Sequence, residues 1–159
     1  MKTDLNDQVQ KEYREYLRTK AMVNYYKPLL SQIAKENEDI KDWTVTFGSD
    51  QRVLFMFYSH QDEQPRLSDF VKLRDIVVRD LSSPGEKPVK LETELSSMLG
   101  EGYEFISASG RLPAIHWKYG TFQPSVEIRM FGVDKCEIEY VEKTVKEPVL
   151  TGFCAEAIK

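Results

Sequence analysis

The stretch WTVTFGSDQRVLFMFY, residues 43–58, gives the clearest indication of the fold. Its first five residues alternate large apolar side chains with threonines, which is the pattern of a half-buried β-strand. Gly48 to Gln51 favour a tight turn, and Val53 to Tyr58 are apolar on both faces. The sequence therefore predicts a β-hairpin whose second arm is the central strand of a sheet, with cover above and below.

The segment before this hairpin, residues 4–37, is predicted to be helical. Its apolar residues recur at spacings of three, four or seven, and most of the face that they form is expected to be buried. Because Pro28 disfavours helical geometry at Lys27, two helices are expected, at about 4–26 and 28–37. The predicted buried face consists of Leu5, Val9, Tyr13, Tyr16, Val23, Tyr26, Leu30 and Ile33.

Beyond the hairpin, one apolar stripe predicts a helix at about residues 65–81, with Pro65 in its first turn. Residues 82–88, which are rich in Ser, Pro and Gly, predict a loop. A short third helix is predicted next, closed by a glycine at its C-terminal cap. The residues behind that prediction are Leu91, Leu95, Met98, Leu99 and Gly100.

From Tyr103 onward, apolar segments separated by Gly, Pro or Asp predict four or five antiparallel strands. No repeat or long linker divides the chain, so residues 1–159 are expected to form one domain. The predicted fold class is α+β: a mainly antiparallel sheet of about five to seven strands, with the N-terminal and central helices packed on one face. The predicted C-terminal strands are residues 103–108, 114–119, 126–131, 136–145 and 149–154.

The composition is typical of a globular protein. Of the 159 residues, 41% are hydrophobic and 30% are charged, which excludes a chain too polar to form a core. The longest apolar run has six residues, against the roughly twenty that a membrane span needs, and the N-terminus lacks the apolar core of a signal peptide. A net charge of −4 gives no overall field that favours nucleic acid or an anionic membrane. These features predict a cytoplasmic protein with no membrane partner.

Cys136 and Cys154 are the only cysteines in the sequence. Because no secretory signal precedes them, both are expected to be reduced, structural thiols in a reducing cytoplasm. Neither has the close partner that a zinc site needs, so no metal site is predicted.

The sequence shows none of the common catalytic or nucleotide-binding motifs. Gly100 to Gly102 is the nearest fragment to a phosphate cradle, but it lacks the third glycine. With two histidines, His60 and His116, a multi-histidine metal centre is excluded. His116 lies in a strand-like alternation and is expected on its exposed face. No catalytic, cofactor-binding or metal-binding residue is predicted.

Two groups of polar residues offer weak alternatives. Ser59, His60 and Asp62 include the residue types of a catalytic triad, and His60, Asp62 and Glu63 those of a cation site. A polar loop between a strand and a helix is nevertheless expected simply because it is solvated, and neighbouring residues seldom converge as a triad. Glu137 and Glu139 share a strand face, but an acid–base pair is defined by separation in space. An enzyme without a familiar motif is therefore the third interpretation of the function.

The first helical segment interleaves tyrosines with basic residues. Such side chains concentrate binding energy at protein interfaces, and they also stack on bases and neutralise phosphates. Three interpretations stay open: tyrosines facing the core beside solvated bases, a surface for a protein partner, or a site for single-stranded nucleic acid, which the net negative charge disfavours. The residues concerned are Tyr13, Arg14, Tyr16, Arg18, Lys20, Tyr25, Tyr26 and Lys27.

Some apolar side chains of this segment lie outside the predicted buried face. A domain of this length has limited capacity to enclose a helix completely, so a partner is expected to cover Leu17, Met22, Tyr25 and Leu29. The predicted function is a non-enzymatic protein-binding module, and one form of it is a homodimer through this helix. The predicted partner-binding residues are Arg14, Arg18, Met22, Tyr25 and Leu29, with Tyr25 near the centre.

The C-terminal phrase YVEKTVKEPVLTGFC, Tyr140 to Cys154, resembles the strand-rich ends of small uncharacterised proteins encoded by bacteriophages. It covers about a tenth of the chain and contains no functional residue, so it implies an origin in a mobile element but no activity. With that origin, an inhibitor or regulator of a host protein is the expected kind of binding module.

Overall fold

The computed structural model describes residues 5–58, 65–97, 104–133, 136–142 and 146–158. Within these ranges the chain forms three helices and nine strands. In chain order they are α1 (Leu5–Glu36), β1 (Trp43–Phe47), β2 (Arg52–Phe57), α2 (Leu67–Asp80), β3 (Leu91–Ser96), β4 (Phe105–Arg111), β5 (Ile115–Trp117), β6 (Gly120–Phe122), β7 (Ser125–Phe131), β8 (Glu137–Glu142), β9 (Lys146–Thr151) and α3 (Gly152–Ile158).

The main sheet has five strands in the order β1-β2-β7-β4-β3, and all its neighbours are antiparallel except β2 and β7. Two further hairpins pair β5 with β6 and β8 with β9. The predicted α+β class with a mainly antiparallel sheet is confirmed. The prediction that Val53 to Tyr58 form the central strand is wrong, because β7 occupies the centre and β2 lies beside it.

The core lies on one face of this sheet. Phe55 of β2 is opposite Ile128 of β7, and Ile128 is opposite Ala108 of β4; all three are completely buried. The alternate residues of β2, such as Leu54 and Met56, are only half-buried, so the expected cover on both faces is absent there. Helix residues complete the same core: Met22, Tyr26, Leu30 and Ile33 of α1 and Leu67, Phe70, Leu73, Ile76 and Val77 of α2.

Helix α1 is continuous for 32 residues, so the predicted division at Pro28 is wrong. Proline removes one backbone donor from the helix. Burial of Tyr26 and Leu30 on either side of Pro28 holds both flanking turns against the core, which offsets that loss. None of the helices in the described ranges is both long and apolar enough to span a membrane.

The prediction of a third helix is wrong for Leu91–Ser96, which form the edge strand β3; Met98, Leu99 and Gly100 lie outside the described residues. The spacing of Leu91 and Leu95 fits one helix face and also the alternation of a strand. Pairing with β4 decides between them, and it places Leu91 opposite Gly110. A Cβ atom at Gly110 would lie 2.2 Å from the carbonyl oxygen of Lys90, so this close approach of the two strands requires glycine.

The two cysteines form a disulfide, which contradicts the prediction of reduced thiols. Cys136 precedes β8, and Cys154 lies in α3, which packs against β8 and β9. The β8–β9 hairpin turns the chain back on itself, so that residues 18 positions apart have Cα atoms 5.8 Å apart. The last predicted strand also ends early, at Thr151, because Gly152 begins α3.

Replacing Cys136 and Cys154 with serine should destabilise the chain. Closure of a loop between cysteines 18 positions apart restricts the unfolded chain and contributes roughly 3 kcal/mol. Chemical denaturation of the oxidised protein and of the Cys136→Ser/Cys154→Ser variant measures the difference. Equal midpoints and slopes for both would show that the bond adds no stability.

Candidate protein interface

Exposed apolar side chains are concentrated on α1. Of the ten large hydrophobic side chains found exposed in the described ranges, six belong to this helix. Four of them form what we call the N-terminal stripe: Leu5, Val9, Tyr13 and Tyr16, with exposed fractions of 68%, 62%, 56% and 60%. An apolar patch of this kind marks an interaction surface more often than does a single exposed residue.

The N-terminal stripe occupies one face of the helix, because its members are spaced by four, four and three residues. The rings of Tyr13 and Tyr16 stack with their centroids 6.5 Å apart. None of residues 5–21 is buried, whereas Met22 is completely enclosed. The first half of α1 therefore presents its apolar face to solvent, and only the second half belongs to the core.

This exposure corrects the sequence analysis, which expected Leu5, Val9, Tyr13 and Tyr16 to be buried. Their spacing marks one helix face, but at 100° per residue this face is turned roughly 100° from the one that Met22, Tyr26, Leu30 and Ile33 bury, and it is exposed. The 32 residues of α1 make a helix about 48 Å long. A compact chain of 159 residues has a radius of gyration of about 15 Å, so the helix is long compared with the domain. Helix length compared with domain size was the signal in the sequence that could have revealed the stripe.

The five predicted partner-binding residues lie on a different face. Tyr25 is 50% exposed and Leu29 is 37% exposed, so both are available to a partner. Arg14 is exposed and Arg18 half-buried. At 100° per residue, this face lies roughly 180° from the N-terminal stripe. Met22 does not belong to such a surface, because its exposed fraction is 0% and the chain's own core covers it.

Chemistry-bearing side chains do not converge elsewhere in the described ranges. No group of three potential metal ligands occurs there. His116 is on an exposed strand face, as predicted, and its Nδ1 lies 2.9 Å from the hydroxyl of Thr121. The loop candidates Ser59, His60, Asp62 and Glu63 and the fragment Gly100 to Gly102 lie outside the described residues.

A polar groove of about 780 Å³ lies at one end of the main sheet. Its charges nearly cancel, since Arg52 lies 3.5 Å from Glu127, which also receives a 3.1 Å hydrogen bond from Nε of Arg129. Arg129 in turn lies over the ring of Phe105. The charged residues lining the groove are Arg52, Lys87, Lys90 and Arg111 with Glu86, Glu92 and Glu127, so it selects no sign of charge.

Asp69 is a buried carboxylate in the first turn of α2, and its surroundings indicate a structural role. Neither of its oxygens accepts a hydrogen bond of good geometry within the described residues, although Nε of Arg66 lies 3.2 Å away and the backbone N–H of Lys41 is close enough to lower its pKa. Burial raises the pKa of Asp69 above its ordinary value, while the charges of Arg66 and Lys72 oppose the shift. Asp69 does not line the groove at the end of the sheet, and in the described ranges it belongs to no group of three potential metal ligands.

The comparisons with known proteins add no assignment to this geometry. No family model matches the sequence, and no curated protein or solved structure is significantly similar to it. The functional argument consequently depends on the chain's own residues, and among these the exposed face of α1 is the most distinctive feature.

The buried carboxylate generates a pH dependence. Because folding raises the pKa of Asp69, its protonated form is favoured in the folded state. The stabilisation from this pKa difference is fully present below the pKa that Asp69 has in the unfolded chain, and it is lost as the pH rises through the pKa that Asp69 has in the folded protein. On acidification from pH 7 towards pH 3, the free energy of unfolding of the wild type should therefore increase relative to that of Asp69→Asn. Urea titrations at several pH values measure this difference, and a gap that stays constant or changes in the opposite direction would contradict the assignment.

Proposed function

We propose that this chain is a non-enzymatic protein-binding module that engages its partner through the N-terminal stripe of α1. The observation that carries the proposal is the exposure of four apolar side chains along one face of a helix half without a buried residue. An amphipathic helix that lays its apolar face into a groove of another protein is a common mode of recognition. The stripe supplies anchors at the spacing that this mode uses.

The charges of α1 do not favour a partner of one sign. Residues 5–20, which include the N-terminal stripe, contain four basic and three acidic side chains. A protein groove with an apolar floor and a mixed polar rim therefore fits this segment. The charged residues are Asp7, Lys11, Glu12, Arg14, Glu15, Arg18 and Lys20.

The surface predicted from the sequence supports a second contact on the same helix. Tyr25 and Leu29 are exposed, and the ring of Tyr25 is held edge-on to the buried ring of Tyr26 at 4.8 Å. A homodimer through α1 stays a prediction about this surface. A regulator or inhibitor from a mobile element is the biological setting in which we place the module, on the resemblance of residues 140–154 alone.

Binding of single-stranded nucleic acid is the second candidate. Its supporting observation is the exposed, stacked pair Tyr13 and Tyr16 beside the exposed Arg14, since bases stack on aromatic rings while cations neutralise phosphates. The net charge of −4 disfavours it, because few local cations are available to displace counterions.

The disulfide bears on the cellular location of the protein. Disulfides are rare in a reducing cytoplasm and persist in oxidising compartments. The bond between Cys136 and Cys154 therefore weighs against the cytoplasmic location that the sequence favours. A cytoplasmic protein would carry this pair in its reduced form.

Two tyrosine-to-glutamate substitutions on opposite faces of α1 test the proposal. Tyr16 and Tyr25 have similar exposure, at 60% and 50%, so Tyr16→Glu and Tyr25→Glu change comparable sites by the same chemistry. A partner captured from the native host by the intact chain should be purified and titrated against both variants. Tyr16→Glu should weaken binding about tenfold or more, because it places a charge within an apolar contact, and Tyr25→Glu should change it much less.

Circular dichroism of both variants serves as the control for folding. A partner that loses affinity only for Tyr25→Glu would move the site to the surface predicted from the sequence and contradict the stripe. Recovery of nucleic acid that competes with the captured protein would favour the second candidate instead.

A further inference from the structure

Strand β1 forms one outer edge of the main sheet, and its free side is determined by the hydrogen bonds to β2. The amide of Tyr58 donates to the carbonyl of Asp42 at 3.2 Å, and the amide of Gly48 donates to the carbonyl of Arg52 at 2.9 Å. In an antiparallel pair the hydrogen-bonded positions alternate, so Thr44 also directs its N–H and C=O towards β2. The backbone groups that point away from the sheet are those of Trp43, Val45 and Phe47.

This edge lacks the features that normally prevent strands of different molecules from pairing. Such features are charged side chains, prolines and bulges. Strand β1 has the sequence WTVTF, without a charge or a proline, and its register with β2 is uninterrupted. The opposite edge of the same sheet is protected, because β3 carries the exposed carboxylates of Glu92 and Glu94.

We propose that a second copy of this chain pairs antiparallel with β1 about a two-fold axis at Val45. Val45 is then opposite Val45 of the partner subunit, and Trp43 is opposite Phe47 of the partner subunit. Both are hydrogen-bonded pairs, so every outward N–H and C=O of the strand finds an acceptor or a donor. The two five-stranded sheets become one sheet of ten strands.

The side chains of β1 favour a copy of itself over an unrelated peptide. The sequence WTVTF is nearly symmetric about Val45, so the axis matches aromatic rings with aromatic rings on the core face. On the other face, Thr44 is opposite Thr46 of the partner subunit. Aromatic pairs and threonine pairs are both favourable across strands, and no like charges oppose one another.

The same axis keeps the helical layers together. It is perpendicular to the sheet, so the core faces of both copies lie on the same side. Helix α1 contacts β1, whereas α2 contacts β7. The two α1 helices therefore lie nearest the dimer interface and add buried area to the strand pairing. The N-terminal stripe and the β1 edge are separate surfaces, so failure of this pairing leaves the proposed binding function intact.

Two double variants of the exposed threonines test the pairing and its register. In Thr44→Lys/Thr46→Lys, each introduced lysine is opposite another lysine of the second copy. In Thr44→Lys/Thr46→Glu, each lysine is opposite a glutamate. Both variants change the same two solvent-exposed positions, so differences in monomer folding do not account for opposite effects on association.

Sedimentation equilibrium over a range of protein concentrations measures the association. The wild type should pass from the monomer mass of 18.5 kDa to twice that value as its concentration rises. The lysine–lysine variant should raise the dissociation constant at least tenfold, and the lysine–glutamate variant should leave it unchanged or lower it. Glu92→Gln/Glu94→Gln, which adds the same net charge of +2 at the other edge, should not weaken the dimer.

A wild type that stays at 18.5 kDa at millimolar concentration would overturn the proposal. So would equal dissociation constants for the lysine–lysine and lysine–glutamate variants, since that result would show that positions 44 and 46 do not face each other across the interface.

Discussion

The packing of Met22, Tyr26, Leu30 and Ile33 against the sheet fixes the position of α1 and decides what the rest of the helix can do. These four residues are the buried part of α1, and they lie in its second half. The turns before Met22 continue the same helix without a buried residue, so Leu5, Val9, Tyr13 and Tyr16 share one helix face in solvent. Because the helical conformation is already present, a partner orders less of the chain on binding than it would with an unfolded segment.

Among the described residues, the surfaces differ in how far their groups are satisfied within the chain. The groove at the end of the sheet has nearly balanced charges, and Asp69 is buried. The N-terminal stripe instead exposes apolar side chains, and the outer edge of β1 exposes backbone groups. We therefore propose a different kind of partner for each of them.

Local patterns were sufficient to predict the β1–β2 hairpin and α2, because turn residues and hydrophobic periodicity lie within those segments. The secondary structure of residues 91–96 was not predictable in this way, because the spacing of their apolar residues fits a helix and a strand equally. Pairing with β4 makes this segment a strand. The disulfide depends on α3 returning to β8, which the spacing of Cys136 and Cys154 does not reveal. For α1, periodicity identified the residues that share a face, but tertiary packing, which the sequence pattern does not reveal, decided which turns and which side of the helix are covered.

Amide hydrogen exchange along α1 in the intact protein tests most directly that the helix is half anchored and half exposed. Amides of residues 22–33 should be protected nearly as well as the core strands, because opening them requires loss of the buried contacts. Amides of residues 5–20 should exchange at least tenfold faster, since no buried contacts oppose fraying of that half. Uniform strong protection from residue 5 to residue 33 in dilute protein would contradict the account, because it would show that the N-terminal stripe is already covered.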